Sequence, residues 1–485
     1  MRKSTAILAL LATGCASMEP RYARPDPAIP ASWPIGDPYL VAAEGGLPAL
    51  TYKQVFQDPR LQTLIAQGIA NNRDLMTAAA NIAAAREQYR IQRAEQFPVV
   101  NAGTGVTVTG DRDNNASAQY QAGINVPNYE VDLFGRLRSL TRVQQQRYFA
   151  SEAGARATRL ALVADIASAW LAHAADSSLL LIAEQTVASA EKSVRLTKLR
   201  LEGGIAPRTD LRQAEQILSG AQADLAQQRT ARARDVNALQ LLVGSPVAPS
   251  LLAGSIDEAF GTIAPVQPGL DSYVLLRRPD VIQAEYQLHA ANANIGAARA
   301  ALFPRITLTG LLGLATSALA KLFTGGALGW SAGADATYTI FQAGAGHANV
   351  RLSEAQQRAA VSSYQGAIQT AFREVADALA RRGTINDEIA ARQRQQLATA
   401  DTYLLTDARY NAGIDPYLNV LSAQQSYYSA QQILVQTKLA AAQNIVDLYR
   451  AIGGDALLQA TPICQPLPGD SNASNAKLAS QCSPM

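Results

Sequence analysis

The chain has 485 residues, and its 42 lysines and arginines nearly balance 39 acids for a net charge of +3, which gives no footing for a nucleic-acid partner. Sparse aromatics, abundant alanine and the lack of any Pro-, Gly- or Ser-rich linker describe one helix-rich body rather than two or three separate globular domains. His173, His289 and His347 are scattered, no metal-ligand spacing and no nucleophile–base pair occurs, and so neither a cofactor nor catalysis is expected.

In chain order, Arg2 and Lys3 precede a short apolar run from Ala6 to Ala12, too short to span a bilayer, which predicts a secretory signal over residues 1–14. Ala12-Thr13-Gly14-Cys15 resembles a bacterial lipobox, after which Cys15 would be the first mature residue and carry lipid. Ala16, in place of an aspartate, matches the lipoprotein pattern for sorting to the outer membrane. An ordinary signal followed by a chance cysteine is the alternative. Residues 15–55 are then expected to be an extended, lipid-anchored segment.

No later stretch of 18 or more apolar residues predicts a transmembrane helix, but strands can also cross a bilayer. Within a first repeat, residues 56–250, a hairpin is predicted at about 99–133. Ala102, Thr104, Val106 and Val108 alternate with Gly103, Gly105, Thr107 and Thr109; after a polar turn at 110–115, Tyr120, Ala122, Ile124 and Val126 alternate with Gln119, Gln121, Gly123 and Asn125. Period-two patterning with one apolar face suits a membrane β-barrel, or four half-buried strands of a soluble sheet. From Arg136 to Arg200 there is no proline, and some 65 helical residues would extend about 100 Å. A turn at Gly203-Gly204 and a helix start at Pro207 predict an antiparallel return.

After a connection at 251–270, a second repeat (271–455) uses the same devices: a hairpin at about 305–341, a proline-free helix from about Ala343 to Asn411, a turn at Gly413 and a return from Pro416. In the hairpin, Ile306, Leu308, Leu312 and Leu314 form one apolar set, and Leu328, Trp330, Ala332, Ala334, Ala336, Tyr338 and Ile340 form another. The tail, 456–485, is Pro- and Asn-rich; its Cys464 and Cys482 are an even pair that an oxidising compartment could join.

The two halves correspond residue by residue. Asp74 and Asp280 open Ala-rich segments that end on Phe97-Pro98 and Phe303-Pro304; Gly204-Ile205-Ala206-Pro207 answers Gly413-Ile414-Asp415-Pro416, and Val243-Gly244 answers Ile452-Gly453. A unit duplicated over this length is a fold built twice, suited to a ring or tube.

Arg277-Arg278-Pro279-Asp280, with Ala284-Glu285, Leu288, Ala290-Ala291, Ile295-Gly296 and Phe303-Pro304, resembles the characteristic stretch of the TolC-like outer-membrane factors, in their OprM- and NodT-like lipoprotein branch. The resemblance covers about residues 40–455. It implies a mainly helical fold with a transmembrane β part: a homotrimer in which three chains give four strands each to a closed 12-stranded barrel, continued by a periplasmic α-helical barrel. It further implies a passive exit duct for small toxic compounds, partnered by a periplasmic membrane-fusion adaptor, an inner-membrane pump of the RND type and outer-membrane lipid. A duct for secreted proteins and a periplasmic coiled-coil scaffold are the other readings.

The family's periplasmic closure, carried over by position, falls on Asp210 in the first copy and on Arg409, Tyr410, Asp415 and Leu418 in the second. Many relatives have Leu-Asp-Ala-Gln where this chain has Leu421-Ser422-Ala423-Gln424, so a ring of three carboxylates is expected to be absent at Ser422. The hairpin tips, Gly203, Gly204, Pro207, Gly413 and Pro416, are the expected adaptor contacts. Arg409 and Asp415 could instead be solvated charges at helix ends.

Overall fold

The computed structural model describes residues 17–30, 32–34, 36, 39, 51–110, 116–266, 272–323 and 326–454. The predicted signal, Cys15, the turn at 111–115 and the tail with Cys464 and Cys482 lie outside the described residues. The described elements run α1 (Tyr52–Val55), α2 (Pro59–Asn71), α3 (Arg73–Ala94), β1 (Asn101–Gly110), β2 (Ala116–Glu130), α4 (Arg136–Glu202), α5 (Arg208–Val243), α6 (Ile256–Phe260), α7 (Pro279–Ala300), β3 (Arg305–Thr316), β4 (Leu328–Thr337), α8 (Ala345–Asn411) and α9 (Tyr417–Ala451). The long helices repeat with one offset: α4 begins at 136 and ends at 202, α8 at 345 and 411, each shifted by 209 residues.

The chain divides into two compact units. One contains the whole sheet, a single antiparallel meander in the order β1-β2-β3-β4. Its register fixes the facing of every strand, because cross-strand partners share a face. Val106 pairs with Tyr120, Ala122 with Leu314, Ile124 with both Ala102 and Leu312, Leu308 with Ala334, and Leu312 with Trp330. The apolar residues named from alternation that fall within these strands therefore lie on one side, while Tyr338 and Ile340 lie beyond the ladder. Gln121 pairs with Gly105, Gln119 with Thr107, and Thr307 with Asp335 on the other.

Two local departures have backbone causes. The β2–β3 register slips between Val126 and Tyr129, where Pro127 cannot donate to a ladder. β4 stops at Thr337, short of the predicted Ile340, because its partner strand begins at Arg305 and the residue before that is Pro304, which also lacks an N–H. At the β2–β3 seam Gly123 faces Gly313; a Cβ on Gly123 would lie 2.6 Å from the opposite Cα, so the backbones approach more closely than any side chain permits.

Below the strands of this unit, Glu130 accepts a two-pronged bond from Arg136 (2.8 and 2.7 Å) and an ion pair from Arg305 (3.1 Å). Phe134 stacks on Phe303 at 4.6 Å. The N-terminal segment lies along α7: Arg24 donates twice to Glu285 (2.7 and 2.5 Å), Tyr22 stacks on His289 at 3.8 Å, and Asn292 donates to the Pro20 carbonyl (2.9 Å).

The other unit has the larger apolar core, with Phe56, Leu61, Leu64, Ile65, Ile166, Trp170, Leu171, Leu239 and Tyr449 fully buried. Asp58 caps α2 by accepting from the Arg60 amide (2.8 Å), with Pro59 preset at the first helical position. Arg278, 8% exposed, pairs with Asp280 (2.7 Å) and Glu374 (2.8 Å) and donates to the Ala451 carbonyl (2.7 Å). The Arg-Pro-Asp stretch thus ties the start of α7 to the end of α9. One correction concerns α4: it contains a segment long and apolar enough to cross a membrane by length and composition. Half of that segment is buried inside the protein, and its alanines and leucines pack the core instead.

Candidate functional site

Each helical hairpin closes through the same turn. Gly204 (φ +75°) donates to the Leu201 carbonyl (3.0 Å) and Ile205 to the Arg200 carbonyl (2.9 Å); Gly413 (φ +78°) donates to Tyr410 (2.9 Å) and Ile414 to Arg409 (2.9 Å). These paired bonds are a Schellman closure, whose left-handed residue carries no strain only when it is glycine. Gly203 is exposed and ends α4 by bonding back to Leu199 (2.9 Å). Pro207 and Pro416 stand as N-caps in extended conformation, φ −72° in both, and launch α5 and α9. The closure leaves an apolar side chain at each apex: Ile205 is 78% exposed and Ile414 62%.

In the second tip Arg409 donates through Nε and Nη2 to Asp415 (2.7 and 3.0 Å), bridging the turn from one helix to the next. The guanidinium holds the Asp415 carboxyl below the usual carboxylate range. Tyr410 is buried against Tyr417 (5.4 Å between rings), in a cluster with Val420 and Ala214. Burial raises the Tyr417 phenol above its ordinary value, to which half-buried Asp210 adds a smaller Coulombic contribution. Leu418 and Ser422 are exposed on α9. The fold therefore brings Arg409, Tyr410 and Asp415 together in one tip and leaves Leu418 and Ser422 facing outward from the single chain.

Arg200 was not singled out by the sequence, yet it joins the two hairpins. Its Nη2 donates to the carbonyls of Tyr410 (3.1 Å) and Asn411 (3.2 Å), and its guanidinium lies 4.2 Å over the Tyr410 ring. A cation here satisfies the last carbonyls of α8 and favours the negative end of its dipole. The repeat held the signal. By the 209-residue offset Arg200 is the counterpart of Arg409, but the counterpart of Asp415 is Ala206, so the first arginine has no carboxylate in its own tip and reaches across. Farther along α4, Ser189 meets Tyr403 Oη (2.9 Å) and accepts from Gln424 (3.3 Å).

No group of three or more potential metal ligands occurs among the described residues. A family model described as "Outer membrane efflux protein" matches residues 64–245 and 271–454. The chain belongs to that family. It is 40% identical over 465 residues to the toluene efflux pump outer membrane protein TtgC of Pseudomonas putida, covering 93% of this chain and 95% of that protein. It is 37% identical over 461 residues to the outer membrane protein OprJ of Pseudomonas aeruginosa, covering 93% and 95%. The open-state MtrE outer membrane channel of Neisseria gonorrhoeae superposes with a TM-score of 0.81 at 32% identity, over 91% of this chain and 99% of MtrE. The fold is that of the TolC-like outer-membrane channels.

Proposed function

We infer that this chain is the outer-membrane channel of an efflux pump, conducting small toxic compounds passively to the exterior. The observation that carries the reading is the sheet, one face apolar from edge to edge and the other, apart from Leu311 and Ala315, polar or glycine-lined, with the outer edges of β1 and β4 both open among the described residues. An open edge cannot persist in hydrocarbon, since its N–H and C=O groups would have no partner. Three copies joined edge to edge make 12 strands and no edge. In this reading the energy comes from an inner-membrane pump of the RND type, coupled through a periplasmic adaptor, as the efflux-pump names of the relatives support.

In this reading the tips at Gly203, Gly204, Pro207, Gly413 and Pro416, with exposed Ile205 and Ile414, receive the adaptor. Asp210, Arg409, Tyr410, Asp415 and Leu418 close the periplasmic end, Ser422 leaves it without the acidic ring of many relatives, and lipidated Cys15 anchors the chain beside its barrel. Purified protein in planar bilayers tests the core of the proposal. Stepwise conductance and loss of solvent and drug tolerance in a deletion strain are expected; an absence of conductance with unchanged tolerance would return the chain to the scaffold reading. Protein export that fails in the deletion strain while tolerance is kept would favour the secretion duct.

A further inference from the structure

One half-buried acidic pair takes no part in the channel reading. Asp176 on α4 and Asp235 on α5 meet across the first helical hairpin, carboxyl to carboxyl, within hydrogen-bonding reach. Asp235 Oδ2 is buried without a hydrogen-bond partner. Two carboxylates cannot hydrogen-bond unless one carries a proton, and an unpartnered buried oxygen is a costly seat for a full negative charge.

Among the described residues, no cation relieves either aspartate. On the same two helices, Arg232 turns to His173 Nε2 (3.4 Å), and His173, fully buried, is itself held neutral by burial and by that arginine. From the elements packed alongside, Arg60 is committed to Asp58 and Glu258 (2.7 Å each), and Lys438 to Asp257. Among the described residues, the charged group acting on each aspartate is the other aspartate. Asp165, by contrast, has Arg450 at 3.8 Å.

The second repeat serves as an internal control. At the same 209-residue offset, Asp176 corresponds to Ile385 and Asp235 to Asn444. Ile385 is fully buried, and Asn444 donates to the Ala378 carbonyl (2.9 Å). The architecture accepts a neutral pair at this level, so the two acids are not a requirement of the fold.

We propose that Asp176 and Asp235 share one proton, and that this bond is a latch joining α4 to α5 which rising pH releases. Burial pushes Asp176 upward and lifts Asp235 to about 7, the second acid adding to the shift. An unfolded aspartate loses its proton near pH 3.9. The native state therefore binds the extra proton between that value and about 7, so stability falls as pH rises through this window and levels off above it. The first hairpin stiffens in acid and loosens above neutrality, while its neutral counterpart in the second hairpin does not respond.

The test uses the full-length protein in detergent and needs no transport. Hydrogen–deuterium exchange, corrected for the intrinsic pH dependence of the rate, should be faster at pH 8 than at pH 6 around residues 170–180 and 230–240, and unchanged around 380–390 and 440–450. A protonated-carboxyl infrared band should be present at pH 6, diminish by pH 8, and vanish in Asp235→Asn. That variant, and the double variant Asp176→Ile with Asp235→Asn that copies the second repeat, should lose this pH response of the first hairpin. Wild-type exchange that is the same at both pH values, or a response retained in Asp235→Asn, would overturn the latch.

Discussion

Arg409 and Arg200 occupy equivalent places in the two repeats and do different work because one side chain differs, Asp415 against Ala206. Arg409 closes its own tip. Arg200 spans to the other hairpin and caps α8. Removing either is expected to loosen the second tip: Arg409→Ala with Asp415→Ala should enlarge single-channel conductance in planar bilayers and admit bulky antibiotics such as vancomycin, with assembly intact. Arg200→Ala should act in the same direction, while Arg200→Lys, which keeps the charge but not the forked donor, should recover only part of the closure. Unchanged conductance in all of these would place the constriction elsewhere, most directly at Leu418. In the proposed trimer Ser422 would place three hydroxyls where three carboxylates would attract divalent cations; weak block of the native pore and stronger block in Ser422→Asp are the expected pair of results.

At the scale of strands and helices, the alternation in the sequence is a prediction about facing. Arginine at Ile124 or Ala334 should cost about 2–4 kcal/mol near the bilayer midplane, whereas arginine at Gln121 or Ser331, on the opposite face, should cost much less. Equal yields of assembled protein from all four variants would contradict the facing. The strands were legible because side-chain direction follows residue parity, and the long helices because no proline interrupts them. What could not be read was set by partners distant in sequence. The end of β4 depends on Pro304 in the neighbouring strand, the slip at Pro127 depends on β3, and the role of Arg200 depends on carbonyls 210 residues away. The apolar segment within α4 shows the opposite limit: composition that permits a membrane span is spent here on packing around Trp170 and Leu171.

At the scale of the whole molecule, two tethers are expected beyond the described residues. A clickable fatty acid should label the protein through Cys15, and Cys15→Ser should abolish the label while the barrel still assembles; a labelled serine variant would exclude the lipobox. Cys464 and Cys482 should appear as one linked peptide pair in non-reducing mass spectrometry, a closure worth about 3 kcal/mol in the entropic account for a loop of this size. Two free thiols would show the tail to be untied.

The two open strand edges also have a genetic consequence. In the proposed trimer each copy would offer β1 to one neighbour and need β4 from another, so a copy with a spoiled edge would not fail alone but would occupy a place between two sound ones. If trimers form by random mixing, a cell making equal amounts of normal chain and of a chain with proline in the middle of β4 would build only about one-eighth of its trimers entirely from normal chains. Such an allele is expected to be dominant over the intact gene, and a defect confined to the tail recessive.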